Sequence, residues 1–105
     1  MRFVETPIFT KQIKALLDDE HYRGLQSALV LRPEQGPLMK GSGGLRKIRW
    51  ALRDRGKRGG IRVIYYWHAA EETFYMLFTY PKTVQDDLMT EQLRTLRHAV
   101  GEEFE

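Results

Sequence analysis

The chain has 105 residues, of which 42% are hydrophobic and 30% are charged, a composition typical of one globular domain with an ordinary solvated surface. It contains no cysteine, so disulfides, thiolate metal sites and cysteine nucleophiles are excluded. The first residues, MRFVETPIFTKQ, hold no apolar run typical of a signal peptide, and no stretch is long enough to span a bilayer. We therefore expect a single domain over residues 1–105 and a cytoplasmic localisation.

The net charge of +3 hides a strong asymmetry along the chain. Residues 45–62 hold eight of the 17 Lys and Arg residues and one of the 14 acidic residues, which makes this segment +7. The rest of the chain holds nine bases and 13 acids, and is −4. A positive field concentrated in this way indicates a polyanionic partner, most commonly nucleic acid. The alternative is a solvated basic loop that has no partner.

The N-terminal third predicts a short strand followed by two helices. Residues 2–5, RFVE, alternate weakly between apolar and polar side chains. Thr6 then provides a capping hydroxyl, and Pro7 suits the first position of a helix. A second helix is predicted from residues 18–20, whose carboxylates suit a helix N-terminus, until Pro33 ends it. The two helices are expected to form a hairpin.

The remainder of the chain predicts a loop, a three-stranded meander and a final helix. Residues 33–44 are rich in Gly and Pro and have no hydrophobic period, which indicates a long loop. Three segments dominated by β-branched and aromatic residues follow: Leu45–Leu52, Ile61–His68 and Thr73–Pro81. Their short connections favour an antiparallel meander. Thr90 is the expected cap of a C-terminal helix.

The alternation of side chains along a strand predicts where the bases of the meander lie. Lys47 and Arg49 fall on one face of the first strand, and Arg62 falls on the same face of the second. In the third strand one face is expected to hold Phe74, Met76, Phe78 and Tyr80, with Lys82 continuing the same register. The opposite face, with Ile61, Val63, Tyr65 and Trp67, is expected to pack on the helix hairpin. A rigid cationic site of phosphate size is therefore predicted on one face of the sheet.

Four segments, in order, carry a resemblance to a known family: KIRW (47–50), the basic turn GKRGG (56–60), IRVIYYW (61–67) and FTYPKTVQDDL (78–88). Together they resemble the RelE/ParE superfamily of bacterial toxins, and most its HigB branch. The resemblance covers nearly the whole chain and implies an α+β, RelE-like fold. In that fold a short N-terminal strand and a two-helix hairpin pack on an antiparallel β-sheet, and a C-terminal helix follows.

The resemblance also implies a function and a partner. It implies the toxin of a type II toxin–antitoxin system, an endoribonuclease (mRNA interferase) that cleaves mRNA in the ribosomal A site and so inhibits translation. A cognate antitoxin is expected to neutralise it. Lys47 and Arg49 match the paired bases of the first meander strand, Arg62 the arginine that opens the next strand, and Lys82 a base just after the last. A tyrosine that follows this last base in RelE has no counterpart in TVQDDL.

Cleavage through the 2′-hydroxyl of RNA needs a base, charge stabilisation at the phosphate and a proton for the leaving oxygen, and it requires no metal or cofactor. The three histidines lie on separate predicted elements, and residues 86–87 form a polar lead-in to the last helix. The cations are therefore expected to do most of the work. Lys47 is the candidate base, because neighbouring positive charge disfavours its protonated form. Arg49 and Arg62 are expected to hold the phosphate oxygens, and Lys82 to assist the leaving oxygen.

The other bases of this segment are expected to dock on ribosomal RNA by phosphate contacts: Arg46, Arg53, Arg55, Lys57 and Arg58. Tyr66 or Tyr80 is a candidate for stacking on an mRNA base, or for the missing tyrosine, although a strand Tyr more often belongs to the core. Two other interpretations stay open. One is a non-catalytic RNA- or ribosome-binding module that uses the same basic face. The other is a domain whose basic hairpin docks an acidic protein tail.

Overall fold

The computed structural model describes residues 1–51, 60–85 and 87–104, with side chains up to residue 101. Its elements are β1 (Arg2–Glu5), α1 (Pro7–Leu16), α2 (Asp19–Leu31), β2 (Arg46–Trp50), β3 (Ile61–His68), a 3₁₀ turn (Ala69–Glu71), β4 (Thr73–Pro81) and α3 (Thr90–Phe104). This order confirms the predicted α+β fold. Within the described ranges, no helix combines the length and apolar character needed to cross a membrane.

The first two helices begin where the sequence predicts. Thr6 Oγ1 accepts a hydrogen bond from the Phe9 N–H at 3.1 Å, and Pro7 is the first helical residue. The Asp18 carboxylate accepts from the His21 N–H at 2.8 Å. Each side chain satisfies a backbone donor that has no partner within its helix. Local capping therefore fixes the residue at which each helix of the hairpin begins.

The four strands form one sheet in the order β1-β4-β3-β2. Strands β2, β3 and β4 form the predicted antiparallel meander, while β1 pairs with β4 in parallel. The outer edge of β2 is covered by the preceding loop, because the Lys47 N–H donates to the Pro37 carbonyl at 3.1 Å and the Met39 N–H donates to the Leu45 carbonyl at 2.8 Å. The strand that carries Lys47 and Arg49 is thus held on both sides.

One face of the sheet, here called the hairpin face, packs against α1 and α2. Alternate residues of β3 point to it, as predicted. Its buried side chains are Phe9, Ile13, Leu25, Leu29, Ile48, Ile61, Val63, Tyr65, Phe74 and Met76. Among the described residues, this face holds the larger of two hydrophobic clusters. Burial of apolar surface is the main favourable term in folding.

The opposite face, here called the α3 face, is covered in part by the C-terminal helix. Its buried side chains are Leu45, Ile64, Leu77, Tyr80, Leu96 and Val100. Helix α3 begins at Thr90, so the predicted cap is the first helical residue, and the Met89 N–H instead donates to Gln92 Oε1 at 2.9 Å. Lys47 and Arg49 belong to this same face by alternation, beside the part that α3 covers.

A β-bulge in β4 changes one prediction. Ile64 lies opposite Phe78 and Tyr65 lies opposite Met76, so Leu77 is an extra residue in β4. An extra residue reverses the alternation of side chains beyond it. Met76 and its strand neighbour Phe74 therefore lie on the hairpin face, and Phe78 and Tyr80 lie on the α3 face. The prediction that these four share one face was wrong.

Candidate active site

Three of the four predicted catalytic cations lie on the α3 face. Arg49 is directly opposite Arg62 across the β2–β3 pair, and Lys47 precedes Arg49 by two residues on the same strand. Directly opposite side chains have Cβ atoms about 4.5–5.5 Å apart, and residues i and i+2 of a strand are about 7 Å apart. Lys82 lies just beyond β4, where its N–H donates to the Gly60 carbonyl at 3.2 Å. Its backbone is thus beside the start of β3.

Arg62 is a buried cation, only 7% exposed. Its Nη1 donates to the Ile61 carbonyl at 3.4 Å, and no carboxylate of the described residues forms a salt bridge with it. A buried charge without a paired counter-charge costs free energy. An anion that binds between Arg62 and the opposite Arg49 would remove much of that cost, so the pair suits a phosphate.

Gly60 lets the chain enter β3 beside this arginine. Its φ of +41° lies in the left-handed region that favours glycine. A Cβ at this position would lie 3.3 Å from the Trp50 carbonyl oxygen and 3.5 Å from Arg62 Nη1. The last glycine of the basic turn therefore has a steric role at the site as well as a conformational one.

A cleft of about 750 Å³ opens beside β2, between the preceding loop and the lead-in to α3. Its charged lining consists of Lys40, Lys47, Arg49 and Asp87. Its apolar lining consists of Pro37, Leu38, Met39, Ile48, Leu88 and Leu93. Strand β2 contributes Lys47 and Arg49, and the loop and the α3 lead-in contribute most of the apolar lining. This arrangement suits a nucleotide, with its phosphate on the β2 bases and its ring on the apolar surface. Arg62 and Lys82 do not line this cleft; Arg62 lies one strand further into the sheet.

Two residues of this cleft were missed by the sequence analysis. Lys40 belongs to the long loop predicted over residues 33–44, and Asp87 belongs to the polar lead-in to α3. Asp87 Oδ1 lies 3.3 Å from Lys47 Nζ and accepts a hydrogen bond from the Leu88 N–H at 2.8 Å. Asp87 and Lys47 are 40 residues apart, and nothing local in the sequence relates them. A carboxylate beside Lys47 is the opposite of the purely cationic environment expected for a lysine base.

Arg46, predicted to dock on RNA, is engaged within the protein. Its Nη1 donates to the Glu34 and Gly36 carbonyls, each at 2.9 Å, and its Nη2 lies 3.1 Å from Glu34 Oε2. The Tyr65 hydroxyl donates to the Pro33 carbonyl at 2.8 Å and accepts from the Gly36 N–H at 3.1 Å. Burial raises the pKa of Tyr65, so the hydroxyl stays a donor. These contacts fix the loop that forms one wall of the cleft.

The other predicted RNA contacts have different positions. Arg53, Arg55, Lys57 and Arg58 lie outside the described residues. Tyr80 is only 4% exposed, and Tyr66 is half-buried, with its ring so close to Gly44 that a Cβ there would lie 3.2 Å away. Both rings pack in the α3-face cluster, and a stacking contact with a base would require that packing to open.

The family model described as the RelE toxin of the RelE/RelB toxin–antitoxin system matches residues 1–104. The chain belongs to the RelE toxin family. It is therefore the toxin of a toxin–antitoxin system, and membership implies an antitoxin as its partner. The resemblance stated from the sequence is confirmed at the level of the family, and assignment to the HigB branch stays a prediction.

A solved structure of a relative supports the fold. The free form of the toxin RelE from E. coli, carrying two arginine-to-alanine substitutions, matches this RelE-family chain with a TM-score of 0.56 and 16% sequence identity. The match covers 80% of this chain and 85% of that chain. At this identity the likeness establishes a common fold, and the chemistry of the site has to be argued from the residues present here.

Proposed function

We propose that this RelE-family toxin is a ribosome-dependent endoribonuclease, an mRNA interferase that cleaves mRNA in the ribosomal A site and so inhibits translation. A cognate antitoxin neutralises it. Family membership supports ribonuclease activity in general. The basic site beside an open cleft supports a substrate with a phosphate backbone.

The observation that carries the proposal is the pair formed by Arg49 and Arg62. They lie opposite each other on the sheet, Arg62 is buried, and no salt bridge to either is formed by the described acidic residues. Two guanidinium groups carried by paired strands place positive charge at the site before a substrate binds, which is what stabilisation of a developing charge requires. Their planar forks match the non-bridging oxygens of a phosphate.

The reaction that fits these groups is attack of a 2′-hydroxyl on the adjacent phosphorus, without a metal. A base takes the proton of the 2′-hydroxyl, the new bond to phosphorus forms, and the bond to the 5′-oxygen breaks. Arg49 and Arg62 stabilise the charge on the non-bridging oxygens, Lys47 adds positive charge at the cleft wall, and Lys82 protonates the leaving oxygen. The products are a 2′,3′-cyclic phosphate and a 5′-hydroxyl end.

The proposal is tested with four alanine variants, at Lys47, Arg49, Arg62 and Lys82, assayed on mRNA in programmed ribosomes. Loss of one charge-stabilising contact should reduce the cleavage rate about a hundred- to a thousandfold. Lys14→Ala, which removes the same charge from exposed α1, is the matched control and should cleave as the wild type does. A variant at Arg62 that cleaves at the wild-type rate would show that the site is wrongly placed.

The same assay separates the proposal from a non-catalytic RNA- or ribosome-binding module. Such a module would bind ribosomes through the same basic face and leave the mRNA intact. Growth arrest on expression of the toxin alone, with mRNA cut within its reading frame and the arrest relieved by the antitoxin, is the expected result. Binding without any cut mRNA would favour the alternative.

A further inference from the structure

The proposed reaction lacks a base, and the cleft contains one chemically suitable group. Of the described residues that line the cleft, Asp87 alone carries a carboxylate, and the other charged side chains there are cations. The lysine expected to be the base, Lys47, is ion-paired with this carboxylate at 3.3 Å. An ammonium group has no free electron pair, whereas a carboxylate oxygen is a hydrogen-bond acceptor that can take a proton.

The position of Asp87 is defined by contacts on both its backbone and its side chain. Gln85 Nε2 donates to the Asp87 carbonyl at 2.7 Å, and the Leu88 N–H donates to Asp87 Oδ1 at 2.8 Å. Lys47 also contacts Oδ1, so no described residue donates a hydrogen bond to Oδ2. The side chain is 62% exposed, compared with 23% for Lys47. One carboxylate oxygen is therefore held in place while the other is available to a substrate.

A phosphate held by Arg49 and Arg62, with Lys47 beside it, would bring the attacking group close to this carboxylate. The 2′-oxygen is bonded to the ribose carbon next to the one that carries the phosphate, so it lies within a few ångströms of the phosphorus. A general base must come within about 2.6–3.2 Å of the oxygen whose proton it takes. A carboxylate that already lies beside the lysine of the phosphate site meets this requirement with a small movement of either partner.

We propose, on the basis of the function proposed above, that Asp87 is the general base of the cleavage. The 2′-hydroxyl transfers its proton to Asp87 as the 2′-oxygen bonds to phosphorus, and the bond from phosphorus to the 5′-oxygen breaks. The 5′-oxygen takes a proton from Lys82, which regains one from solvent. Asp87 then releases its proton to solvent, so the step consumes no net proton. Arg49 and Arg62 hold the phosphate oxygens, and Lys47 keeps the phosphate beside the carboxylate.

A different role for the same ion pair would give the opposite result. If Asp87 only occupied the place of an anion in the empty cleft, its removal would free Lys47 for the substrate phosphate. RNA would then bind more tightly and cleavage would be equal or faster. The two roles are thus distinguished by the direction in which the cleavage rate changes.

The test compares Asp87→Asn and Asp87→Ala with wild type in single-turnover cleavage of mRNA on programmed ribosomes. Asn still accepts the Leu88 hydrogen bond, so the start of α3 is preserved, and thermal unfolding is measured to check this. Loss of a general base should reduce the rate about a hundred- to ten-thousandfold while ribosome binding is kept.

Formate, a free carboxylate, should restore part of the rate to Asp87→Ala, and chloride at equal ionic strength should not. Glu91→Gln removes the same charge from the exposed first turn of α3 and should leave the rate unchanged.

The outcomes separate this inference from the proposed function. If wild type cuts mRNA and Asp87→Asn cuts it within threefold of the same rate, or faster, Asp87 is not the base, while the ribonuclease proposal stands. A loss of rate that formate does not restore makes Asp87 a positioning residue and also overturns the inference. A wild-type protein that binds ribosomes without cutting mRNA overturns both.

Discussion

The two faces of the sheet are built from the same strands and differ in almost every physical respect. The hairpin face is covered by two capped helices, and ten of its described side chains form the larger hydrophobic cluster. The α3 face has a smaller cluster under one helix, and next to that cluster it carries Lys47, Arg49 and the buried Arg62. Because side chains alternate along a strand, β2 and β3 contribute to a stable core on one side and to a cationic site on the other.

This difference indicates how stability and activity are divided in the fold. Apolar burial on the hairpin face stabilises the sheet and opposes the cost of keeping a buried cation and opposed arginines on the other face. The charged residues of the site are therefore expected to lower the free energy of unfolding relative to apolar side chains at the same positions. Such a cost is common where function needs a preorganised charge.

The largest expected effect on stability is on the hairpin face. Phe74 is fully buried, stacks on Phe3 with ring centroids 4.6 Å apart, and contacts Trp67 at 4.4 Å between centroids. Phe74→Ala should lower the free energy of unfolding by about 3–5 kcal/mol, measured by urea denaturation. Leu31→Ala, at a position 83% exposed, should change it by less than about 0.5 kcal/mol. If Phe74→Ala lowered the free energy of unfolding as little as Leu31→Ala does, the assignment of the main core to this face would be contradicted.

The next effect has the opposite sign and tests the α3 face. Arg62→Met keeps a long unbranched side chain and removes the buried charge, so the free energy of unfolding should rise, by about 1–4 kcal/mol if the gain resembles that for buried ion pairs replaced by apolar groups. Cleavage of mRNA should be lost in the same variant. A strong loss of stability in Arg62→Met would contradict this difference between the two faces. Arg62 would then be a structural residue that a partner stabilises.

Most of this division between the faces could be predicted from the sequence. The capping residues Thr6 and Asp18 and the alternation in β2 and β3 are local signals, and each predicts structure within a few residues of itself. They were sufficient for the order of elements, the helix starts and the grouping of Lys47, Arg49 and Arg62. A local signal of this kind depends on backbone geometry that nearly every strand and helix shares.

The parts that were not predicted depend on packing between distant segments. The bulge at Leu77 moves Phe78 and Tyr80 to the other face, and alternation alone gives no sign of it. The contact of Asp87 with Lys47 joins the lead-in of α3 to β2 across 40 residues. Arg46 looked like a free base in the sequence, and the loop that it binds follows no periodic pattern. The role of each of these residues is decided by which segment packs beside it.

The smallest predicted loss of stability concerns the loop that covers the outer edge of β2. A Cβ at Gly36 would lie 2.9 Å from Tyr65 Cε1, 3.0 Å from the Tyr65 hydroxyl oxygen and 3.2 Å from the Lys47 carbonyl carbon. Gly36→Ala must therefore displace the loop or the buried ring, and should lower the free energy of unfolding by about 1–3 kcal/mol.

The matched control is Gly101→Ala in α3, where a Cβ would meet nothing within 4 Å. Alanine loses less conformational entropy than glycine when a helix forms. The free energy of unfolding of this variant should therefore rise by about 0.4–1 kcal/mol. Thermal or urea denaturation should thus show a lower free energy of unfolding for Gly36→Ala and a higher one for Gly101→Ala. If both variants gained stability, the loop would be free to move away from Tyr65, and the wall of the cleft could not hold Lys40 and Lys47 in a fixed relation.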